Sequence, residues 1–165
     1  MGNKTIFLDR DGVINKNMPN GGYVTSWQQW EWLPTITKNL QILQNNGYQF
    51  IIITNQGGIQ KGLYSHESLN DIHQQATTYL QQYGITITAI YYCPHHPAMG
   101  ENCICRKPDS LLLEKAIAQY QVDVSNSYFI GDKASDITAA KKAGIKGILI
   151  PTNTDMESIL PLLLI

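Results

Sequence analysis

Short apolar runs alternate with longer stretches of helical periodicity along most of the chain. The runs Thr5 to Leu8, Phe50 to Ile53, Ile85 to Tyr92, Tyr128 to Ile130 and Gly147 to Ile150 predict five strands. Unbroken apolar runs suit strands covered on both faces. Between the first two, Ile36, Leu40 and Leu43 predict a helix opened by Pro34 and closed by Gly47. Leu69, Ile72, Ala76, Tyr79 and Tyr83 predict a second from about Ser65 to Tyr83. Leu111, Leu112, Ala116 and Ile117 predict a third from Pro108 to about Tyr120, and a short fourth runs from Ser135 to Ala143. This alternation predicts an α/β fold, a Rossmann-like parallel sheet with helices on both faces. Residues 1–165 are expected to form a single domain, with no large cap domain. The apolar tail Ile159 to Ile165, broken by Pro161, reads as a docked terminal segment.

One stretch breaks the pattern. Residues 12–33 are irregular and rich in Gly, Asn and aromatics, with Gly21-Gly22-Tyr23-Val24 followed by Trp27, Trp30 and Trp32. A connection of that length is expected to be functional, and it reads as a flap after the first strand. Glu31, its one carboxylate beyond Asp11, reads as a solvated or capping charge.

Composition narrows the partners. Charged residues make up 15% of the chain, against about 25% in ordinary domains. Net charge is −1 and no Lys/Arg run exceeds two residues, so no nucleic-acid partner is expected. No apolar run approaches the roughly 20 residues of a membrane span, and the first strand starts too early to leave room for a secretory signal. A monomer is expected. All three cysteines fall between positions 93 and 105. Disulfide scaffolds spread an even number, so the cluster points to a reducing, cytoplasmic compartment and a metal.

The candidate chemistry stands at strand ends. Asp9 and Asp11 follow the first strand, and residues two apart in an extended chain point the same way. Two anions so placed repel, so the pair needs a nearby cation or one protonated carboxyl. Thr54-Asn55-Gln56-Gly57-Gly58 follows the second strand and Gly131-Asp132 the fourth. In parallel sheets ligands sit beyond the carboxyl ends of the strands. Cys93, Cys103 and Cys105, with a histidine beside Cys93, offer a closed tetrahedral zinc site with no open position, hence a structural one. His95 is preferred to His96 because it repeats the i, i+2 spacing of the cysteine pair. His66 and His73 read as surface or satisfied histidines.

Asp9-Arg10-Asp11-Gly12, Thr54-Asn55, Arg106-Lys107-Pro108, and Gly131-Asp132-Lys133 with Asp136 resemble the haloacid dehalogenase superfamily of phosphohydrolases. The resemblance implies that Asp9 is a nucleophile forming an aspartyl-phosphate and that Asp11 is the general acid and base. It implies Mg2+ held by Asp9, the Asp11 carbonyl and Asp132, with Thr54 and Lys107 on the transferring phosphate. Asp136 is either a metal partner or a helix N-terminal charge. The zinc loop followed by Arg106-Lys107-Pro108 is similar to the branch of heptose bisphosphate phosphatases and histidinol phosphatases, with Gly22, Tyr23, Asn55, Gln56 and Lys61 in matching stretches. Gly57, where serine is common, and a seven-residue gap between His95 and Cys103 depart from it. A small-molecule sugar bisphosphate is therefore the expected substrate, with histidinol phosphate as the alternative and a non-catalytic zinc-structured module as a remote one. Arg106, Lys61, Lys133 and the Gly57-Gly58 amides are the candidate donors to a second phosphate, and Tyr23 could pack on a sugar face.

Overall fold

The computed structural model describes residues 2–100 and 102–164. Five parallel strands form one sheet: β1 Thr5–Leu8, β2 Gln49–Asn55, β3 Ile87–Cys93, β4 Tyr128–Gly131 and β5 Lys146–Leu149. Their order is β3-β2-β1-β4-β5. The helices are α1 Ile36–Asn45, α2 His66–Gln81, α3 Leu111–Gln119, α4 Ala134–Lys142 and a short α5 Leu160–Leu163. The expected fold class is the observed one.

Side-chain alternation along the central strands divides the core in two. Ile6, Leu8, Phe50, Ile52 and Ile130 pack toward Leu40 and Leu43 of α1 and Leu80 of α2. Phe7, Ile51, Ile53 and Phe129 face the other way, toward Leu112, Leu113 and Ala116 of α3 and Ala139 and Ala140 of α4. The inward aliphatic and aromatic residues of β1 and β2 are buried on both faces, which is why those runs carry no polar alternation. At the edge, Lys146, Gly147 and Leu149 of β5 are exposed.

Most boundaries move by one or two residues, β3 for instance starting at Ile87 rather than Ile85, and two helix starts have an identifiable cause. Helix α1 starts at Ile36, not Pro34, because Thr35 adopts a left-handed φ of 61° that no α-helix can continue through. Helix α3 starts at Leu111, not Pro108: Asp109 N donates to Arg106 O at 2.8 Å, so Arg106 to Asp109 make a turn that presents Lys107 to the site. The C-terminal segment docks as expected, with Ile159 and Leu163 buried and Tyr48 OH donating to Leu163 O at 2.9 Å; Ile165 lies outside the described residues. No helix of the described residues is long and apolar enough to cross a membrane.

The strand order reverses at β1, where β2 lies on one side and β4 on the other. Such a switch point leaves a crevice at the carboxyl ends of the strands. Asp9 leaves β1 there and Asp132 leaves β4. Above the crevice residues 12–33 fold back on themselves, closed at the base by an Asn15–Trp32 bridge and by Leu33 N donating to Ile14 O at 3.1 Å.

Candidate active site

Lys107 is the centre of the crevice floor. Its ammonium is buried and donates to Asp9 Oδ1 at 2.8 Å and to Ile53 O at 3.0 Å, and it lies 2.7 Å from Asp136 Oδ1. Burial works against its charge, but Asp9 and Asp136 outweigh that and hold it above the ordinary lysine range. The backbone that carries Lys107 is clasped by Asn55, whose side-chain amide donates to Lys107 O and accepts from Lys107 N, both at 3.1 Å.

The two aspartates of the first motif live in opposite electrostatic settings. Burial first, then the neighbouring Asp136 and Asp132, push Asp9 up to about 7 despite Lys107. Asp11 is partly buried, and that desolvation is overcome by the Arg10 guanidinium and three hydrogen bonds, which hold its carboxyl below the usual range. Arg10 Nη2 and Asn15 Nδ2 donate to Asp11 Oδ1 at 2.8 and 2.9 Å, and Gln56 Nε2 donates to Oδ2 at 2.9 Å. The anions crowding Asp9 are thus Asp132 and Asp136, brought in from β4 and α4. Asp11, its expected rival, is neutralised by its own neighbour.

Asp9, Asp132 and Asp136 each place one ligand atom within 4.8 Å of the others. Asp132 Oδ1 is buried with no hydrogen-bond partner among the described residues, while Asp132 Oδ2 accepts from Thr152 Oγ1 at 2.7 Å. An orphaned carboxylate oxygen among further carboxylates fits a hard divalent cation, which takes oxygen ligands. Gly12, at φ 91°, touches the same group: a β-carbon there would collide with Asp132 Oδ2. Asp136 has its other oxygen engaged, accepting from the backbone N–H groups of Asp132 and Lys133 at 3.1 and 3.0 Å. Both expected roles fit the geometry: Asp136 Oδ2 carries the helix N-terminal charge, while Oδ1 faces Lys107 within the group shared with Asp9 and Asp132.

Above the floor a cavity of about 410 Å³ is lined by the flap residues Asn17, Gly21, Gly22 and Tyr23 and by Asp11, Asn55, Arg106, Lys107, Lys133 and Ser135. That volume suits a small phosphorylated metabolite. A narrower extension below it reaches Asp9 and Asp136. Three candidates lie outside this wall. Gln56 is fully buried, donating to Asp11 and to Thr54 Oγ1 and accepting from Tyr64 OH. Thr54 is buried beneath it, with its own O–H not engaged with a described residue. Lys61 is exposed and sits 5.9 Å from the Tyr23 ring centroid. The Gly57-Gly58 backbone is not open to approach either: a β-carbon on Gly57 would meet His95 O at 2.9 Å, and one on Gly58 would collide with Tyr64. Glu31 pairs with Lys16 at 3.1 Å on the surface.

The family model described as polynucleotide kinase 3 phosphatase matches residues 4–147. The chain belongs to this family of haloacid dehalogenase phosphatases. Similar members carry more specific names. The D-glycero-beta-D-manno-heptose-1,7-bisphosphate 7-phosphatase of Haemophilus ducreyi is 38% identical over 151 residues, covering 88% of this chain and 81% of that protein. The D-glycero-alpha-D-manno-heptose-1,7-bisphosphate 7-phosphatase of Photorhabdus laumondii is 37% identical over 147 residues, covering 86% and 79%. Among solved structures, the D,D-heptose 1,7-bisphosphate phosphatase of B. bronchiseptica, complexed with magnesium and phosphate, matches with a TM-score of 0.83 at 34% identity, covering 90% of this chain and 81% of that one.

In this phosphatase the cysteine window folds as one cluster. Cys93 Sγ lies 3.5 Å from His95 Nδ1, 3.6 Å from Cys103 Sγ and 3.0 Å from Cys105 Sγ, and Cys105 Sγ lies 3.3 Å from His95 Nδ1. Ligands about 2.0–2.3 Å from a tetrahedral zinc stand roughly 3.5 Å apart, so the four fit that ion. His95 rather than His96 belongs to this group; the His96 Nδ1 accepts from Ala98 N at 3.1 Å. The cluster touches the cavity directly: Arg106 follows Cys105, and its Nη1 donates to His95 O at 3.0 Å.

Several participants escaped the sequence reading, among them Asn15 and Asn17 and, most consequentially, Arg10 and Ser135. Arg10 is fully buried, its Nη1 3.1 Å from His73 Nε2 and its guanidinium 5.5 Å from the Trp30 ring centroid. Ser135 lines both the cavity and its floor. Spacing hinted at neither, because Arg10 turns its side chain onto the very next residue, Asp11, and Ser135 looked like a helix start.

Two outcomes follow from this geometry. Protein purified without chelators should hold one zinc per chain by elemental analysis, and Cys105→Ala should lose activity further than stability, because zinc fixes the backbone that aims Arg106 and Lys107. Absence of zinc would count against the cluster's role. The second outcome concerns His73, which burial first and Arg10 next push down to about 3. It is neutral in the fold, so its contribution to stability is whole above its unfolded pKa of about 6.5 and is lost as pH falls toward 3, by up to ~1.4 kcal/mol per pH unit. His73→Gln, which keeps an acceptor for Arg10, should flatten the acid limb of urea-derived stability between those pH values.

Proposed function

We propose that this protein is a magnesium-dependent phosphatase that removes the 7-phosphate of D-glycero-D-manno-heptose 1,7-bisphosphate and leaves the 1-phosphate in place. The observation that carries the reading is the buried Asp9–Lys107–Asp136 floor under a cavity walled by Arg106 and Lys133. The heptose bisphosphate phosphatase relatives, matched over most of the chain, support the substrate and do not favour histidinol phosphate.

The chemistry follows from the side chains. Asp9 attacks phosphorus, forming an aspartyl-phosphate and splitting one slow hydrolysis into two easier displacements. Lys107, held against Asp9, places positive charge where the phosphoryl oxygens gather it. Asp9, Asp132 and the Asp11 carbonyl would hold magnesium, which would supply a hard positive charge against the carboxylates and the phosphate. Asp11 lies outside that charge cluster, oriented by Arg10, Asn15 and Gln56. A bound phosphate dianion adds like charge beside it and raises its proton affinity, so Asp11 can protonate the departing sugar oxygen. With the sugar gone it deprotonates the water that attacks the aspartyl-phosphate. Arg106 is the best-placed group for the phosphate that stays, since its planar fork suits an oxyanion; Tyr23, across the cavity, offers a ring to the sugar face.

The test is a panel of the heptose bisphosphate, histidinol phosphate and a 3′-phosphorylated oligonucleotide, assayed with magnesium and with EDTA. The bisphosphate should show the highest kcat/KM and release one phosphate only, and Asp9→Asn should abolish turnover with its circular dichroism unchanged. Preference for histidinol phosphate or the oligonucleotide would overturn the substrate; wild-type rates in Asp9→Asn would overturn the covalent route. Arg106→Ala should raise KM for the bisphosphate far more than for a small aryl phosphate. Equal losses on both would assign Arg106 to the transferring phosphate instead.

A further inference from the structure

The turn that follows β5 holds two parts of the site at once. Thr152 Oγ1 donates to Asp132 Oδ2 at 2.7 Å. One residue on, Asn153 N donates to Gly12 O at 3.0 Å, and Asn153 Oδ1 accepts from Asn17 N at 2.7 Å. Asn17 is where the flap begins to wall the substrate cavity, and with Thr152 and Asn153 it also lines a neighbouring hollow of about 540 Å³. Asn153 sits at φ 61°, a left-handed conformation that asparagine tolerates better than most residues. The turn is therefore shaped to point one side chain at Asp132 and the next at the flap.

Each contact has a physical consequence. A carboxylate free to rotate offers either oxygen to a cation and loses entropy when it stops. With Oδ2 bonded to Thr152 and walled by Gly12, Asp132 keeps Oδ1 unpartnered in the space it shares with Asp9 and Asp136. Residues that orient a metal ligand in this way change metal affinity without touching the metal. The flap is closed on the base side of Asn17, at Asn15–Trp32 and by Lys16 N donating to Glu31 O at 2.8 Å, and Asn153 ties Asn17 itself to the β5 turn.

We propose that Thr152 and Asn153 are positioning residues, Thr152 fixing the Asp132 carboxylate for the divalent cation and Asn153 fixing the flap at Asn17 against the substrate cavity. This rests on the reading of Asp132 as a magnesium ligand and of the heptose bisphosphate as substrate. A turn that merely closed the fold would couple to neither cation affinity nor KM.

The experiment titrates magnesium calorimetrically into wild type, Asp132→Asn, Thr152→Val and Thr152→Ser, then measures KM and kcat for the bisphosphate at saturating magnesium. Thr152→Val, near-isosteric but without the hydroxyl, should bind magnesium about 10-fold more weakly, with Thr152→Ser restoring the affinity. Asn153→Gly keeps the left-handed backbone and removes the acceptor, so KM should rise several-fold at unchanged kcat and magnesium affinity. Asn153→Asp, which retains an acceptor, should keep KM near wild type. Thr152→Val with wild-type affinity, Thr152→Val and Thr152→Ser equally weakened, or Asn153→Gly with unchanged KM would overturn the proposal while the functional reading stands. Wild type that binds magnesium no better than Asp132→Asn, or that does not turn over the bisphosphate, would sink that reading and the proposal with it.

Discussion

One buried ammonium holds the site together. Taking a lysine out of water costs several kcal/mol unless its charge is matched and its protons are all bonded. For Lys107 the charge is matched by Asp9 and Asp136 and protons go to Asp9 and the Ile53 carbonyl, groups that come from the end of β1, from α4 and from β2. Three elements that would otherwise only pack side by side are thereby fixed at one point. The loop that carries Lys107 is in turn held from both sides, by the Asn55 amide and by the cysteine–histidine cluster two residues upstream. Precision at the reacting atoms is thus a property of a polar knot laid over the apolar core.

Charge at the knot is left unbalanced. Asp9, Asp132 and Asp136 gather around a single ammonium, and burial first, then the excess negative charge, raises Asp9. Asp11, two residues away, is held down by a guanidinium that lies wholly inside the protein. Pairs of titratable groups driven apart by their surroundings are how one site accommodates both nucleophilic and proton-transfer chemistry. Here the separation depends on Arg10 standing between the two aspartates in sequence while facing only one of them.

The sheet, its helices and the ends where the chemistry gathers were legible because each depends on local pattern: apolar runs, helical spacing, and polar residues at strand ends. The cysteine–histidine cluster was legible for the same reason, since cysteines two apart and a histidine two from a cysteine need no knowledge of the fold. What sequence order concealed was contact between elements. Asp9 was expected to contend with Asp11, yet its rivals arrive from β4 and α4. Gln56 and the Gly57-Gly58 backbone looked like substrate contacts because they follow Thr54, but a single turn of chain buries them under Tyr64, Tyr23 and His95. Thr35 looked compatible with a helix entered at Pro34, and only its left-handed backbone shows otherwise.

The flap has an optical consequence. All three tryptophans of the chain, Trp27, Trp30 and Trp32, lie within it and stack on one another, with Trp32 against Tyr79 and Trp30 over Arg10. Tryptophan emission from this protein is therefore a signal from one segment, silent about the zinc loop and the β4–β5 half of the sheet. One of the three indoles, Trp30, lies over the buried guanidinium that pairs with Asp11, so the emitting segment adjoins the floor of the cavity.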